Sequence, residues 1–334
     1  MAITGSVIDV RSSLQDAPAT SSPRILFPTD LSAHAMAAWP YAAGLAREGG
    51  AELHLLHVVA PPPIGANSDG AVLWPSVLVK ELLAEAQAVV TAAAARTRAL
   101  GVLTQAHTTF GEAASEIVAY AATQRIGLIV MATTGRTGAA HLLLGSVAEQ
   151  VVRHATCPVL TVRHDRAAAP PPLLSHALPR LRRILVPLDG SRLAEAVLPH
   201  IVQLSKRHGA ELRLLRVAHA HALRDADLAT AQLRVVQEAE AYLAGVAHRL
   251  AVKGVSASPA VRYGGTLEEI LDDLWVNRPD LVAMSTHGRT WLTHLLLGSV
   301  AEQVLRASPV PVLLFPARAL VAVDAVRAAR SAAA

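Results

Sequence analysis

Short apolar runs alternate with longer amphipathic segments along most of the chain. In the first half the apolar runs predict strands at 25–28, 52–59, 104–110, 126–132 and 158–162. The segments between them predict helices at 32–48, 75–99 and 113–123, and a fourth helix that begins at 145–146. Strands that alternate with helices in this way predict a parallel sheet between two layers of helices.

The second half repeats both the pattern and parts of the sequence itself. Its strands are predicted at 183–188, 211–217, 256–262, 280–285 and 310–315. The block HLLLGSVAEQV occurs at 141–151 and again at 294–304, and RILFPTD at 24–30 matches RILVPLD at 183–189. An identical block at so large a separation marks a duplicated domain.

The repeat divides the chain into five predicted segments. They are a Ser-rich leader at 1–22, a first domain at 23–163, a Pro/Ala-rich linker at 164–180, a second domain at 181–316 and a tail at 317–334. The linker contains three consecutive prolines, a composition that is typical of a stiff, extended connection. We therefore expect two tandem doubly wound α/β domains, each with a five-stranded, mainly parallel sheet.

Composition narrows the functional class. Apolar residues make up 52% of the chain and aromatic residues only 3%, so the cores must consist mainly of aliphatic side chains. The formal net charge is +4 and the basic residues are scattered, so no nucleic-acid partner is expected. Cys157 is the sole cysteine, which excludes an internal disulfide and fits a reducing compartment. Because there is neither a signal segment nor a long apolar run, we expect a cytoplasmic protein without a membrane partner.

Candidate chemistry lies at the carboxyl end of the fourth strand in each copy. Both copies have two loop glycines and a serine at the start of the next helix, at Gly135, Gly145 and Ser146 and at Gly288, Gly298 and Ser299. The free N–H groups at a helix start carry about half a positive charge and suit a phosphate. The pattern therefore predicts a phosphate site in each copy.

An aspartate closes the first strand of each copy, Asp30 in the first and Asp189 in the second. Ligands of an open α/β sheet bind where the strand order reverses. If strands one and four are neighbours there, each aspartate faces a glycine loop and suits a ribose hydroxyl or a base edge. Together these groups predict an adenine-nucleotide site, although each aspartate could instead cap the following helix.

These features resemble the universal stress protein family in its tandem two-domain form. The family's nucleotide motif is Gly, two residues, Gly, nine residues, then Gly-Ser or Gly-Thr. Both copies match its second and third parts, and the leading position holds Ala132 in the first copy and Ser285 in the second. The likeness covers about 23–163 and 181–316, where several separated motifs agree in both copies.

The resemblance implies a Rossmann-like fold of the adenine nucleotide alpha hydrolase type, with ATP as the ligand and Mg²⁺ as an optional companion. Matching positions carry over as nucleotide contacts, namely Asp30, Val58, Ala132, Gly135, Arg136, Gly145, Ser146 and Val147 in the first copy and Asp189, Val217, Ser285, Gly288, Arg289, Gly298, Ser299 and Val300 in the second. The two arginines could equally be solvated. The resemblance also implies a stress-response role and an intramolecular pseudo-dimer of the two domains, while a homodimer and a stress-response protein partner stay open.

Catalysis has no clear agent in the sequence. We find no P-loop lysine, no Gly-x-Gly-x-x-Gly after the first strand, no triad and no metal-ligand spacing. His141 and His294 are interpreted as structural or surface residues. We therefore expect the nucleotide to act as a conformational ligand, with slow ATP hydrolysis at most. The alternatives are a nucleotide-free module that docks a stress partner, and a weak ATP hydrolase in which Asp30 or Asp189 holds Mg²⁺.

The two copies differ in the glycine loop, where Gly138 of the first corresponds to Trp291 of the second. A tryptophan there could shield the phosphates or fill the mouth of a site that no longer binds. Together with Ala132 and Ser285, it favours the nucleotide-free alternative. Our hypothesis is that the first copy is the better binder.

Overall fold

The computed structural model describes residues 23–61, 76–133, 144–163, 180–219, 228–287 and 297–317. These residues form two compact units, one within 23–163 and the other within 180–317. Each unit is a five-stranded parallel sheet with helices, which confirms the predicted fold class.

In the first unit the strands are β1 (Arg24–Pro28), β2 (Glu52–Val59), β3 (Thr104–Phe110), β4 (Leu128–Ala132) and β5 (Val159–Val162). The helices are α1 (Ala33–Met36), α2 (Trp39–Gly49), α3 (Ser76–Ala99), α4 (Ala113–Thr123) and α5 (Ser146–His154). The strand order is β3-β2-β1-β4-β5, and every neighbouring pair is parallel.

The second unit repeats this arrangement. Its strands are β6 (Arg183–Pro187), β7 (Glu211–Ala218), β8 (Ala257–Tyr263), β9 (Leu281–Ser285) and β10 (Val312–Phe315). Its helices are α6 (Arg192–Glu195), α7 (Leu198–His208), α8 (Leu228–Val252), α9 (Thr266–Asn277) and α10 (Ser299–Ala307). The order is β8-β7-β6-β9-β10, again with parallel neighbours.

The first helical segment differs from its prediction. The pattern predicts one helix over 32–48, but the chain forms α1 and α2 there. Ser32 caps α1, and its Oγ accepts a hydrogen bond from the Ala35 N–H at 3.1 Å. Pro40 stands in the first turn of α2, where its missing N–H costs no hydrogen bond, whereas the interior of a longer helix would lose one. Pro199 stands in the first turn of α7 in the same way.

The cores lie between the sheets and their helices and are almost wholly aliphatic. Leu26, Leu53 and Ile129 in the first unit have no exposed surface, and neither do Leu185 and Leu212 in the second. Side chains buried in central strands require cover on both faces, which the helices supply. Among the described residues, no helix has the length and apolar character needed to span a bilayer.

The turn after the first strand contains a strained residue in one unit. Leu31 has φ 61, in the left-handed region, while the corresponding Gly190 has φ 86. A branched side chain in that region costs about 1–2 kcal/mol, and glycine loses about 0.5–1 kcal/mol through its greater freedom when unfolded.

We therefore expect Leu31→Gly to raise the free energy of unfolding by about 0.5–1 kcal/mol, as measured in urea. Leu31→Ala keeps the strain and serves as the matched control. A Leu31→Gly protein that is no more stable than Leu31→Ala would contradict this account of the turn.

Candidate functional site

The strand order reverses between β1 and β4 in the first unit and between β6 and β9 in the second. Ile25 pairs with Leu128 in the first unit, and Ile184 pairs with Leu281 in the second. Strands one and four of each copy are thus neighbours, which is the condition under which each aspartate faces a glycine loop. The carboxyl edge at this point is the usual place for a ligand crevice in an open α/β sheet.

The two aspartates close turns at this edge rather than capping helices. Asp30 Oδ1 accepts a hydrogen bond from the Ser32 N–H at 3.0 Å, and Asp189 Oδ1 accepts one from the Ser191 N–H at 2.9 Å. The serines themselves cap the helices, since Ser191 Oγ accepts from the Ala194 N–H at 3.1 Å as Ser32 does in the first unit. The helix-cap alternative for the aspartates is therefore wrong.

The residues that flank the glycine loop are hydrogen-bonded to each other in each unit. The Thr133 carbonyl accepts a hydrogen bond from the Gly145 N–H at 2.8 Å, and the Thr286 carbonyl accepts one from the Gly298 N–H at 2.9 Å. A Cβ on Gly298 would lie 2.8 Å from the Thr286 carbonyl oxygen, closer than such atoms approach. Glycine is therefore needed here for the chain's own packing, whatever else it contacts.

The loops themselves lie outside the described residues. They contain four of the predicted contacts, Gly135, Arg136, Gly288 and Arg289. His141, His294, Gly138 and Trp291 lie in the same two segments. Their roles, and the hypothesis that the first copy is the better binder, stay predictions.

The helices after the loops begin without a side-chain cap. Gly145 is the N-cap of α5 and Gly298 the N-cap of α10, and neither offers an acceptor for the first-turn N–H groups. Glu149 and Glu302 lie in these first turns, but their carboxylates pair with arginines four residues later, at 2.8 Å and 2.9 Å. The helix starts can therefore serve an anion from outside the chain.

The leading motif positions are both buried. Ala132 ends β4 with 9% of its surface exposed, and Ser285 ends β9 with 7% exposed. Ser285 Oγ donates a hydrogen bond to the His287 carbonyl at 2.5 Å. The hydroxyl that replaces the family's glycine is thus engaged by the loop's own backbone.

A cavity of about 390 Å³ opens at this edge of the second unit. Its wall brings together every described nucleotide contact predicted for the second copy, namely Asp189, Val217, Ser285, Gly298, Ser299 and Val300. In the first unit the described counterparts follow the same elements, with Asp30 after β1, Val58 in β2, Ala132 at the end of β4, and Gly145, Ser146 and Val147 at the start of α5. Residues from four separate segments of the second copy therefore share one cavity.

The cavity wall also contains residues that the sequence reasoning missed. Arg216 of β7, Glu238 of α8, and Thr266 and Ile270 of α9 line it. Arg216 could have been noticed, because it follows two leucines near the carboxyl end of β7. The two helices gave no such signal, since their cavity faces depend on how the helices pack.

Among the described ranges, no group of three or more His, Cys, Asp or Glu side chains is arranged to hold a metal ion.

Comparisons with known proteins agree with this architecture. The model of the universal stress protein family matches residues 22–163 and again residues 180–316. A universal stress protein of Methanocaldococcus jannaschii is 38% identical over 145 residues, which are 43% of this chain and 83% of that protein. One from Mycolicibacterium smegmatis is 27% identical over 301 residues, 87% of this chain and 96% of that protein.

Solved structures extend the similarity to the fold of nearly the whole chain. The crystal structure of a universal stress protein from Archaeoglobus fulgidus superposes with a TM-score of 0.64 at 25% identity, covering 89% of this chain and 99% of the other. Because the family model matches both halves, the chain belongs to the universal stress protein family, as a tandem of two family domains.

Proposed function

We propose that the chain binds an adenine nucleotide, ATP, at the carboxyl edge of its sheets, and that the nucleotide acts as a conformational ligand in a stress response. The observation that carries this proposal is the second unit's cavity, whose wall contains Asp189, Val217 and the start of α10. A carboxylate at one side and an uncapped helix start at the other match the polar groups of a nucleotide.

The phosphate end is assigned to α10. The first-turn N–H groups that follow Gly298, and the Ser299 hydroxyl, border the cavity and offer donors to phosphate oxygens. Asp189 closes β6, the strand next to β9, and its carboxylate suits a ribose hydroxyl.

A conformational role is supported by the elements that meet at the cavity. Val235 of α8 and Thr266 of α9 both line it. Side chains three residues apart on a strand point to opposite faces of the sheet. Arg216 of β7 contacts α8 and Arg213 of β7 contacts α9, so the two helices pack on opposite faces. A ligand that touches both helices would couple the two layers of the unit.

The proposed setting is the reducing cytoplasm. Cys157 is buried in the first unit, and burial raises the pKa of its thiol to about 12. Such a thiol stays protonated and unreactive, which agrees with a packing role.

Calorimetric titration with Mg-ATP tests the proposal on the full chain. We expect two sites, of which Asp30→Ala weakens one and Asp189→Ala the other by about tenfold or more, since each removes a charged hydrogen-bond acceptor. Asp272→Ala removes a carboxylate that is 56% exposed on α9 and should leave both sites unchanged.

The outcomes separate the alternatives. Absence of binding to protein freed of co-purified nucleotide would overturn the proposal and favour the nucleotide-free docking module. Metal-dependent phosphate release that disappears in either aspartate variant would instead favour the weak ATP hydrolase.

A further inference from the structure

Arg216 lines the cavity with hydrogen-bond donors that no described residue accepts from. Its half-buried guanidinium lines the second unit's cavity, with Cζ 4.6 Å from the centre of the Tyr242 ring. Within the described residues it makes neither a hydrogen bond nor an ion pair, although a guanidinium carries five N–H donors. The stack on Tyr242 fixes the side chain and leaves those donors for a ligand.

The guanidinium lies over the turn that carries Asp189. A Cβ built on the next residue, Gly190, would lie 3.1 Å from Nη1, 3.3 Å from Cζ and 3.4 Å from Nη2 of Arg216. Arg216 belongs to β7, so its side chain must reach sideways to the end of β6. Gly190 provides the room that this approach requires.

The position of this pair along a bound nucleotide follows from the sheet order. The phosphates are assigned to α10, which follows β9, and β6 lies between β9 and β7. A nucleotide extending from α10 toward β7 therefore carries its ribose over the end of β6, where Asp189 and the guanidinium of Arg216 are found.

We propose that Arg216 and Asp189 form a donor–acceptor pair for the ribose hydroxyls, so that the second unit selects ribonucleotides over 2′-deoxyribonucleotides. The inference rests on the proposed nucleotide function. A hydroxyl group can donate to the Asp189 carboxylate and accept from the Arg216 guanidinium at the same time. A 2′-deoxy sugar lacks the hydroxyl that the Arg216 guanidinium would donate to, and leaving a charged donor unpaired costs more than losing a neutral hydrogen bond.

The first unit provides an internal contrast. His57 occupies the position of Arg216, and Leu31 that of Gly190. The His57 ring is instead hydrogen-bonded to the residue that follows β1, with Nδ1 2.8 Å from the Thr29 carbonyl oxygen. The first unit thus lacks the guanidinium, and its site should discriminate less between the two sugars.

Titrations of the full chain with ATP and with 2′-deoxy-ATP test the inference. The second-unit site is identified as the one lost in Asp189→Ala. In the wild type it should bind ATP about tenfold more tightly than 2′-deoxy-ATP, which corresponds to one hydrogen bond to a charged group. In Arg216→Met the ratio should fall to about twofold or less, because methionine keeps the packing and removes the donors.

Matched variants separate recognition from folding. Arg249→Met removes a cation of α8 that pairs with Glu195 at 2.7 Å and is not part of the described cavity wall, so the ratio should be retained. Tyr242→Phe keeps the ring under Arg216 and should also retain it, whereas Tyr242→Leu should reduce it.

The results have distinct meanings. Equal ratios in the wild type and in folded Arg216→Met would overturn this inference and leave the nucleotide function intact. If Arg216→Met does not fold, equal ratios in Tyr242→Phe and Tyr242→Leu would overturn it in the same way. ATP binding only at the Asp30-dependent site also overturns it, while absence of ATP binding at either site overturns the proposed function.

Discussion

Replacing Asp273 with alanine is expected to lower the free energy of unfolding of the second unit by about 3–5 kcal/mol. Asp273 has no exposed surface, and its carboxylate accepts hydrogen bonds from Arg213 at 2.6, 2.7 and 3.0 Å. Asn277 Nδ2 donates a further bond at 3.0 Å. The alanine variant leaves a guanidinium that is only 17% exposed without its partner, and the loss should be measured by urea unfolding.

Two variants act as controls for this prediction. Asp272→Ala removes the neighbouring carboxylate, which is 56% exposed and 3.8 Å from Arg262, and should change stability by less than about 1 kcal/mol. Arg213→Met combined with Asp273→Leu removes both charges, and should recover most of the lost stability because no buried charge remains unpaired. A double variant as unstable as Asp273→Ala would contradict the assignment of the loss to an unpaired charge.

The first unit is expected to lose stability as the pH falls below about 6.5, the ordinary pKa of histidine. The buried His54 lies among other polar side chains in this unit. Its Nδ1 lies 2.8 Å from Tyr120 Oη, and its ring stacks on the His107 ring with 5.4 Å between the ring centres. Burial lowers the pKa of both rings, although the nearby Glu52 carboxylate opposes the shift. Arg24 of β1 also lowers the pKa of His54.

The direction follows from proton binding. Below pH 6.5 the two histidines bind protons in the unfolded chain but stay neutral in the folded unit. The free energy of unfolding therefore falls by up to about 1.4 kcal/mol per pH unit for each histidine. The loss ends once the pH is below the lowered pKa of the folded rings, and above pH 6.5 the two histidines contribute no pH dependence.

Urea unfolding between pH 7.5 and 5.5, with hydrogen exchange followed on β2 and β3, measures this effect. His107→Gln should flatten the pH dependence, while His154→Gln, at an exposed position of α5, should leave it unchanged. In the second unit burial lowers the pKa of His200, so some acid sensitivity is expected there as well. An unchanged slope in His107→Gln would show that His107 does not contribute to the first unit's acid sensitivity.

The partners of the buried polar side chains could not be predicted from the sequence. His54 of β2 pairs in register with Leu26, and Arg213 of β7 pairs with the equivalent Leu185. Their partners, Tyr120 and Asp273, lie on helices and are 66 and 60 residues away along the chain, so no local spacing connects them. One copy uses histidine and tyrosine where the other uses an ion pair, so comparing the two copies does not reveal that the two pairs are equivalent.

Sequence alone determined the duplication, the alternation of strands and helices and the edge where the candidate site lies. The bounds of β2 and β3 were predicted without error, because Gly50 and Pro61 flank the first of these segments, Gly111 follows the second, and glycine and proline interrupt regular strands. The split between α1 and α2 could also have been read from Pro40.

Tertiary structure decided which side chains meet. Asp189 is conspicuous in the sequence, but Arg216 joins it only because β6 and β7 are neighbours and Gly190 leaves room for a guanidinium. Periodicity is a local property that records which face of an element is buried. The partner across that face depends on strand order and helix packing, and those are properties of the whole folded unit.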